Sequence, residues 1–233
     1  MWSLSPDETA ALLLSLKVAF WSVAASLPFA VALAWILSRL SFPGKSLLDA
    51  LVHLPLVLPP VVVGYFLLLL FGRRGPAGMF LEELFGVTVM FRWTGAALAC
   101  AVMGLPLLVR AVRQSLDAVD RGLEAAAATL GAPPAWVFAS VTLPLILPGI
   151  LTGMLLSFAR SLGEFGATIT FVSNIPGETQ TLPLAIYSFT QVPGGDAQAM
   201  RLCMLSIVLS LAALMASEVL VRRATLRAAG RDA

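Results

Sequence analysis

The chain has 233 residues, of which 59% are hydrophobic and 12% charged, whereas charged residues make up about a quarter of an ordinary soluble domain. This composition excludes a water-soluble fold and predicts an all-α integral membrane protein, because each membrane helix needs about 20 apolar residues. The net charge of +2 is too small to indicate a nucleic-acid partner.

Long apolar runs predict five transmembrane spans in a single domain that covers residues 1–233. The first span contains Lys17, whose aliphatic stem lets its ammonium reach the nearer membrane surface. Asp7 and Glu8 precede this span, where a cleaved signal peptide carries positive charge, so we expect the span to stay in the mature protein. The five predicted spans lie at residues 10–38, 48–71, 94–109, 145–171 and 202–220.

Basic residues in the connections predict the orientation, because cytoplasmic loops accumulate Lys and Arg. One face of the bundle collects nine: Arg39, Lys45, Arg110, Arg113, Arg121, Arg222, Arg223, Arg227 and Arg231. The other face collects four: Arg73, Arg74, Arg92 and Arg201. This asymmetry places the N-terminus outside and the C-terminus in the cytoplasm, with segments 73–93 and 172–200 outside.

The side chains that an enzyme needs are scarce. His53 is the only histidine, which excludes paired-histidine zinc motifs. It lies four residues after Asp49, so the two can meet on one helical face, and a structural pair is favoured over a catalytic one. Gly44-Lys45-Ser46 resembles the end of a phosphate-binding loop, but position 39 holds arginine in place of the required glycine. No enzymatic activity, cofactor or metal is predicted, and any ATP that drives this protein is hydrolysed by another chain.

Three prolines interrupt the second span, at Pro55, Pro59 and Pro60. Each removes a backbone hydrogen bond and pushes on the preceding turn. The carbonyls that are freed need partners that hydrocarbon does not offer, so this helix belongs against protein or a water-filled cavity. It either lines a pathway or is a kinked structural helix.

Small residues repeat every four positions in the fourth span, at Gly149, Gly153, Ser157 and Ser161. This spacing predicts a close approach to a neighbouring helix.

Arg160 and Glu164 lie beside Gly163 in the same span. Each charge would be costly in mid-membrane without a partner, so both are predicted to face protein or water. They form either a gate on a pathway or an ion pair that fixes helix packing.

Residues 113–144 are the most distinctive connection. The run 123–131 favours a helix and ends at Gly131, a usual stop residue, and Pro133 and Pro134 suit the start of a second helix. Trp136 and Phe138 then offer an aromatic pair to a partner's groove. The segment either docks on a partner or packs under its own bundle.

The stretch from Glu124-Ala125-Ala126 through Gly131 to Leu143-Pro144 resembles the EAA loop of permease subunits in bacterial ATP-binding-cassette importers. Segments 54–65, 163–179 and 193–196 resemble the molybdate permease branch. Sulfate and thiosulfate permeases are close relatives with a similar Gly-Glu motif.

This resemblance implies a type I importer permease of the bacterial inner membrane, which imports molybdate or tungstate, with sulfate or thiosulfate as the alternative. It further implies a homodimer, cytoplasmic ATPase subunits seated on a coupling helix, an external oxyanion-binding protein, and a pore lined by the second and fourth spans. The coupling residues would be Glu124, Ala125, Ala126, Gly131, Trp136, Phe138, Leu143 and Pro144. The pathway or packing residues would be Pro55, Pro59, Pro60, Gly149, Gly153, Arg160, Gly163 and Glu164.

Two other functions stay open from the residues themselves. A self-sufficient secondary transporter would use Arg160, Glu164 and the interrupted second span to couple uptake to protons. An intramembrane enzyme would depend on His53.

Overall fold

The computed structural model describes residues 4–228, and within this range every regular element is helical. This confirms the predicted all-α class. The helices are α1 (Pro6–Arg39), α2 (Lys45–Val57), α3 (Pro60–Phe71), α4 (Pro76–Phe85), α5 (Trp93–Ala118), α6 (Arg121–Thr129), α7 (Pro134–Val137), α8 (Leu143–Leu162), α9 (Gly166–Val172), α10 (Leu182–Thr190) and α11 (Asp196–Ala228), with a π-helical turn at Phe138–Thr142 between α7 and α8.

Four helical stretches among the described residues are long and apolar enough to cross a membrane. They are Pro6–Arg39, Trp93–Ala118, Pro134–Leu162 and Asp196–Ala216. The pair α2 and α3 makes a fifth crossing if it counts as one span.

The second predicted span, over residues 48–71, is interrupted as its prolines indicate and consists of two helices. Helices α2 and α3 meet at a bend of 114°. Leu58 is extended there, and α3 begins at Pro60 directly after Pro59. Two consecutive prolines cannot donate the backbone bonds that would continue α2, whereas either suits the start of a new helix. Pro55 stays inside α2.

The fourth span, over residues 145–171, is predicted wrongly as one helix. Helix α8 ends at Leu162, and α9 begins at Gly166 after a short break. The third span is longer than the predicted 94–109, because α5 continues through Arg110 to Ala118.

The first and last spans are longer than predicted as well. Helix α1 begins at Pro6, where Ser5 and Glu8 form a reciprocal capping box. Helix α11 begins at Asp196, earlier than the predicted 202. The side chains of the basic residues near the C-terminus, Arg222, Arg223, Arg227 and Arg231, lie outside the part of the chain that is described.

Helix α5 lies at the centre and packs most extensively against α1 and α8. Its N-terminal half joins α1, α3 and α9 in one apolar cluster, and its C-terminal half joins α1, α2 and α8 in a second. The small residues of α8 approach a neighbouring helix as predicted, and that helix is α5: a Cβ added to Gly153 would lie 3.2 Å from the Cα of Leu108, and one on Gly149 would overlap the hydroxyl of Ser115. The small-residue stripe therefore allows α8 to approach α5 closely.

Polar contacts attach α1 to its neighbours. The carboxylate of Glu8 is fully buried and accepts two bonds from the Arg201 guanidinium of α11, the shorter 2.9 Å long. The Ser15 hydroxyl accepts the backbone N–H of Leu182 at 2.6 Å, and the Ser22 and Ser161 hydroxyls lie 3.0 Å apart. These contacts join residues that are far apart in sequence.

Candidate functional site

The two breaks in the apolar helices lie against each other. A Cβ added to Gly166, the first residue of α9, would lie 2.8 Å from the Cβ of Pro60, the first residue of α3. One turn further along α3, a Cβ on Gly64 would lie 2.6 Å from the carbonyl oxygen of Ala167. Real Cβ contacts are not this short, so the close approach of α3 and α9 requires glycine at both positions.

Arg160 and Glu164 form an ion pair at this junction. The Arg160 Nη1 lies 2.7 Å from the Glu164 Oε2, with 29% of the arginine side chain and 1% of the glutamate side chain exposed. The other carboxylate oxygen accepts the backbone N–H of Ala167 at 2.8 Å. The pair therefore joins the end of α8 to the start of α9, and the mid-helix position expected from the sequence is wrong.

The predicted pathway residues separate into two groups. Pro59, Pro60, Arg160, Gly163 and Glu164 lie at or beside the two helix breaks. Pro55 lies inside α2, and Gly149 and Gly153 face α5 in the helix contact.

The predicted coupling segment projects from the end of the bundle where α1 and α5 end. Helix α6 is capped by Asp120, whose carboxylate accepts the Gly122 N–H at 2.8 Å. Gly131 then has a φ of +85°, a conformation that glycine adopts without steric cost. Leu130 is 88% exposed on this turn, and Trp136 on α7 is 58% exposed.

Glu124 fixes the segment to the bundle. Its Oε1 accepts a 2.9 Å charged bond from the Arg39 guanidinium at the end of α1 and a 2.7 Å bond from the Thr142 hydroxyl. Both partners were missed from the sequence, because Arg39 is 85 positions away and helix packing alone brings it near. The Glu124 contact gives α6 a direct connection to α1.

The remaining coupling residues differ in exposure. Ala125 and Ala126 are exposed on α6, as are Leu143 and Pro144 at the start of α8. Phe138 instead packs against the second apolar cluster. The prediction of two outward aromatic side chains is therefore wrong for Phe138 and holds for Trp136.

His53 and Asp49 meet on α2 as their spacing predicts, with 3.3 Å between the imidazole Nδ1 and a carboxylate oxygen. The same carboxylate binds Arg113 of α5 at 2.9 Å. The contact with Arg113 makes the pair part of a link between α2 and α5, consistent with the structural reading.

Comparison with known proteins identifies the family. The sequence profile of the binding-protein-dependent transport system inner membrane component matches residues 26–226. The chain belongs to this family. This permease is therefore a multi-pass component of a bacterial inner membrane, and its resemblance to importer permeases is confirmed.

Two relatives and one solved structure refine this assignment. The permease is 59% identical over 219 residues to the molybdenum transport system permease protein ModB of Escherichia coli strain K12, covering 94% of this chain and 96% of that protein. It is 41% identical over 183 residues to the sulfate transport system permease protein CysT of Salmonella typhimurium, covering 78% and 66% of the two chains.

The solved structure is a bacterial alginate ABC transporter in complex with an alginate pentasaccharide-bound periplasmic protein. The permease matches one of its chains with a TM-score of 0.74 at 16% identity, covering 94% of this chain and 80% of that chain. At this identity the likeness concerns the fold, which confirms the expected importer permease architecture.

Proposed function

We propose that this chain is the permease subunit of an ATP-driven molybdate importer, in which two copies form the translocation pathway. The exposed coupling segment carries this proposal. An apolar turn and a tryptophan that face outward at one end of a membrane bundle are unusual on a free surface, and large exposed apolar side chains mark contact sites for other proteins. The family to which the chain belongs supplies the partner class, a cytoplasmic ATPase.

The contacts of Glu124 support a mechanical role for the segment. Its bonds to Arg39 and Thr142 connect α6 to the end of α1 and to the turn that leads into α8. A push on α7 by closing ATPase subunits would therefore reach both helices directly. At the far end of α8, the Arg160–Glu164 pair and the two helix breaks supply an element that can rearrange, since breaks concentrate motion at a few backbone positions.

Five crossings are few for enclosing a solute pathway, and a two-fold dimer doubles them. In this arrangement the coupling segment faces the cytoplasm, the N-terminus lies outside, and the segments 73–93 and 172–200 face an oxyanion-binding protein. Molybdate is favoured over sulfate as the cargo because the identity to the ModB relative is higher and covers nearly the whole of both chains.

The coupling role is tested by copurification of the permease with the ATPase subunit of the proposed importer. Trp136→Asp should reduce recovery of the ATPase at least about tenfold, since loss of one central aromatic anchor typically costs 2 kcal/mol or more. Trp136→Phe, which keeps an aromatic ring, is the matched control and should retain it. Full recovery with Trp136→Asp would contradict the proposal.

The cargo is tested by reconstituting the permease with its ATPase and binding protein in liposomes. ATP-dependent uptake of molybdate that excess sulfate does not inhibit supports the proposal. Uptake of sulfate in preference to molybdate would assign the chain to the sulfate class. Uptake by the permease alone under a proton gradient would establish a secondary transporter.

A further inference from the structure

An apolar pocket lies between α1 and α5, and it shares no lining residue with the helix breaks or the coupling segment. It has a volume of about 340 Å³, and Leu81 of α4 also lines it. None of its lining residues is charged. Ligand pockets usually measure about 300–1,000 Å³ and combine apolar walls with a few polar groups. The pocket is therefore large enough to hold part of a ligand.

The pocket follows two membrane-crossing helices inward from one membrane surface. It begins at Trp93, the first residue of α5, and continues to Ala101, a distance of about 12 Å at 1.5 Å per residue. On α1 it is lined by Trp21, which is 50% exposed. Half of a bilayer's hydrocarbon core is about 15 Å thick, so the pocket spans most of one leaflet. Lipid chains are the apolar material available at this depth.

Positive charge collects at the mouth of this pocket. The Lys17 Nζ lies 3.8 Å from the centroid of the Trp93 ring, a contact that attracts the ammonium without neutralising it. Lys17 and Arg92 are exposed where α5 enters the membrane. Among the side chains that the structure describes, neither has a carboxylate within 4 Å. The mouth can therefore attract the negative headgroups of lipids.

The start of α5 adds hydrogen-bond donors at the same place. No side chain caps this helix, and its first turn contains no acidic residue. The first N–H groups of a helix lack helical partners and form the positive end of its dipole, which makes such a terminus suitable for phosphate. The Thr94 hydroxyl oxygen, in the first turn and on the pocket wall, is buried without a hydrogen-bond partner in residues 4–228. Donors for an anion thus meet an apolar pocket at one point.

We propose that this pocket binds one anionic phospholipid of the leaflet that contains the start of α5. The phosphate lies between the Lys17 ammonium and the start of α5, and the Thr94 hydroxyl donates to an ester oxygen. One acyl chain lies in the pocket between Trp21 and Ala101. A net negative headgroup is favoured over a zwitterionic one, because the pocket offers no carboxylate to pair with a headgroup amine. The proposal depends on the membrane location that the family establishes, and not on the cargo or the ATPase.

Binding is measured with a phosphatidylglycerol analogue that carries a photoreactive diazirine in one acyl chain. The permease, purified with any subunits that accompany it, is placed in nanodiscs of zwitterionic lipid. Wild type should be labelled saturably around Leu98 and Ala101 on the α5 wall. Unlabelled phosphatidylglycerol should compete with the analogue, whereas glycerol phosphate, which lacks acyl chains, should not compete at the same concentration.

Two substitutions test the charged part of the site. Lys17→Gln should weaken binding about fivefold, since one lysine near a membrane surface contributes about this factor toward anionic lipid. Arg74→Gln is the matched control, because it removes an exposed positive charge from the turn before α4 and does not line the pocket. It should bind the analogue as wild type does.

A third substitution tests the apolar part. Ala101→Leu narrows the pocket and leaves Lys17 unchanged, and it should lower labelling of the α5 wall severalfold. Unfolding in SDS shows whether this variant is folded, and Lys17→Gln tests the proposal on its own if it is not.

Saturable labelling of the pocket that depends on Lys17 and not on Arg74 supports the lipid site. Equal losses with Lys17→Gln and Arg74→Gln would show a general attraction of anionic lipid to a basic surface, and the proposal would fail. It would also fail if wild type were not labelled saturably, or if labelling mapped outside the pocket because a second copy covers it. None of these results alters the proposed function, which uptake tests separately.

Discussion

Replacing the charges at the helix breaks distinguishes an ion pair from two independent polar groups. Glu164 is buried and Arg160 is 29% exposed, with 2.7 Å between their charged atoms. Glu164→Gln leaves the guanidinium without its counter-ion at a site that water reaches only in part. The same change keeps an oxygen that can still accept the Ala167 N–H. The substitution therefore removes charge without removing the backbone contact.

The expected loss of stability follows from the burial of the Arg160–Glu164 pair. Breaking a buried pair costs about 3–5 kcal/mol, chiefly because the remaining charge stays desolvated. Partial exposure of Arg160 lowers this, so we expect Glu164→Gln to reduce the free energy of unfolding by about 2–3 kcal/mol. Combining it with Arg160→Gln removes the stranded charge, and the double variant should be more stable than Glu164→Gln alone. The interaction energy from the cycle should be about 1–3 kcal/mol.

The assay is reversible unfolding of the purified permease in mixed micelles with increasing SDS. It compares wild type, Glu164→Gln, Arg160→Gln and the double variant, and the same four proteins are tested for ATP-driven uptake. Arg74→Gln and Glu178→Gln, both exposed and outside α3, α8 and α9, form a control cycle that should be additive. Uptake should follow the same order, with Glu164→Gln lower than the double variant. Additive effects of the Arg160 and Glu164 changes would refute the ion-pair reasoning.

Three further predictions use contacts elsewhere in the fold. Gly64→Ala would place a Cβ 2.6 Å from the Ala167 carbonyl oxygen and should lower the free energy of unfolding by about 1–3 kcal/mol in the same SDS assay. Gly163→Ala is the control and should change that free energy little, because its Cβ would meet only one carbonyl oxygen, at 4.0 Å. Equal effects of the two substitutions would contradict the close contact between α3 and α9. Glu124→Gln should reduce uptake per ATP hydrolysed in reconstituted liposomes, because the charged bond that ties α6 to α1 is lost, and an unchanged ratio would argue against this transmission route. Glu8→Gln should speed proteolysis near the start of α1 severalfold by leaving a guanidinium of α11 without its counter-ion, and an unchanged cleavage rate would show that the pair does not hold α1 in place.

Sequence periodicity predicted the elements that depend on local composition. The apolar runs predicted a bundle of membrane helices, and the four-residue spacing of Gly149 and Gly153 predicted a close approach to a neighbouring helix, which the structure shows to be α5. The turn at Gly131 and the helix that follows Pro133 were also predictable, since both depend on intrinsic backbone preferences. The family was predictable because the residues around this turn form a compact motif.

Other features depended on tertiary context. Four prolines, Pro28, Pro55, Pro106 and Pro148, lie inside continuous helices, whereas the pair at Pro59 and Pro60 ends one, and proline alone does not distinguish the two cases. The sequence predicts that the third span ends at residue 109, yet α5 continues through Arg110 to Ala118.

Long-range ion pairs could not be predicted from spacing. Glu8 and Arg201 are 193 positions apart, and Arg39 and Glu124 are 85 apart. A carboxylate in a capping box, such as Glu8, is usually satisfied locally, so its second partner left no sequence signal. Helix packing determines these contacts, and composition determines only that charged groups in such a chain need partners.

We propose that a separate ATPase contacts the exposed segment between α5 and α8. The most direct measurement is site-specific cross-linking in the assembled transporter, with a photoreactive amino acid introduced at Trp136 and, as a control, at Phe80 on α4. We predict that Trp136 cross-links to the ATPase with a yield that changes on ATP binding, and that Phe80 does not. A complex that transports molybdate but shows no cross-link from Trp136 to the ATPase would contradict this contact.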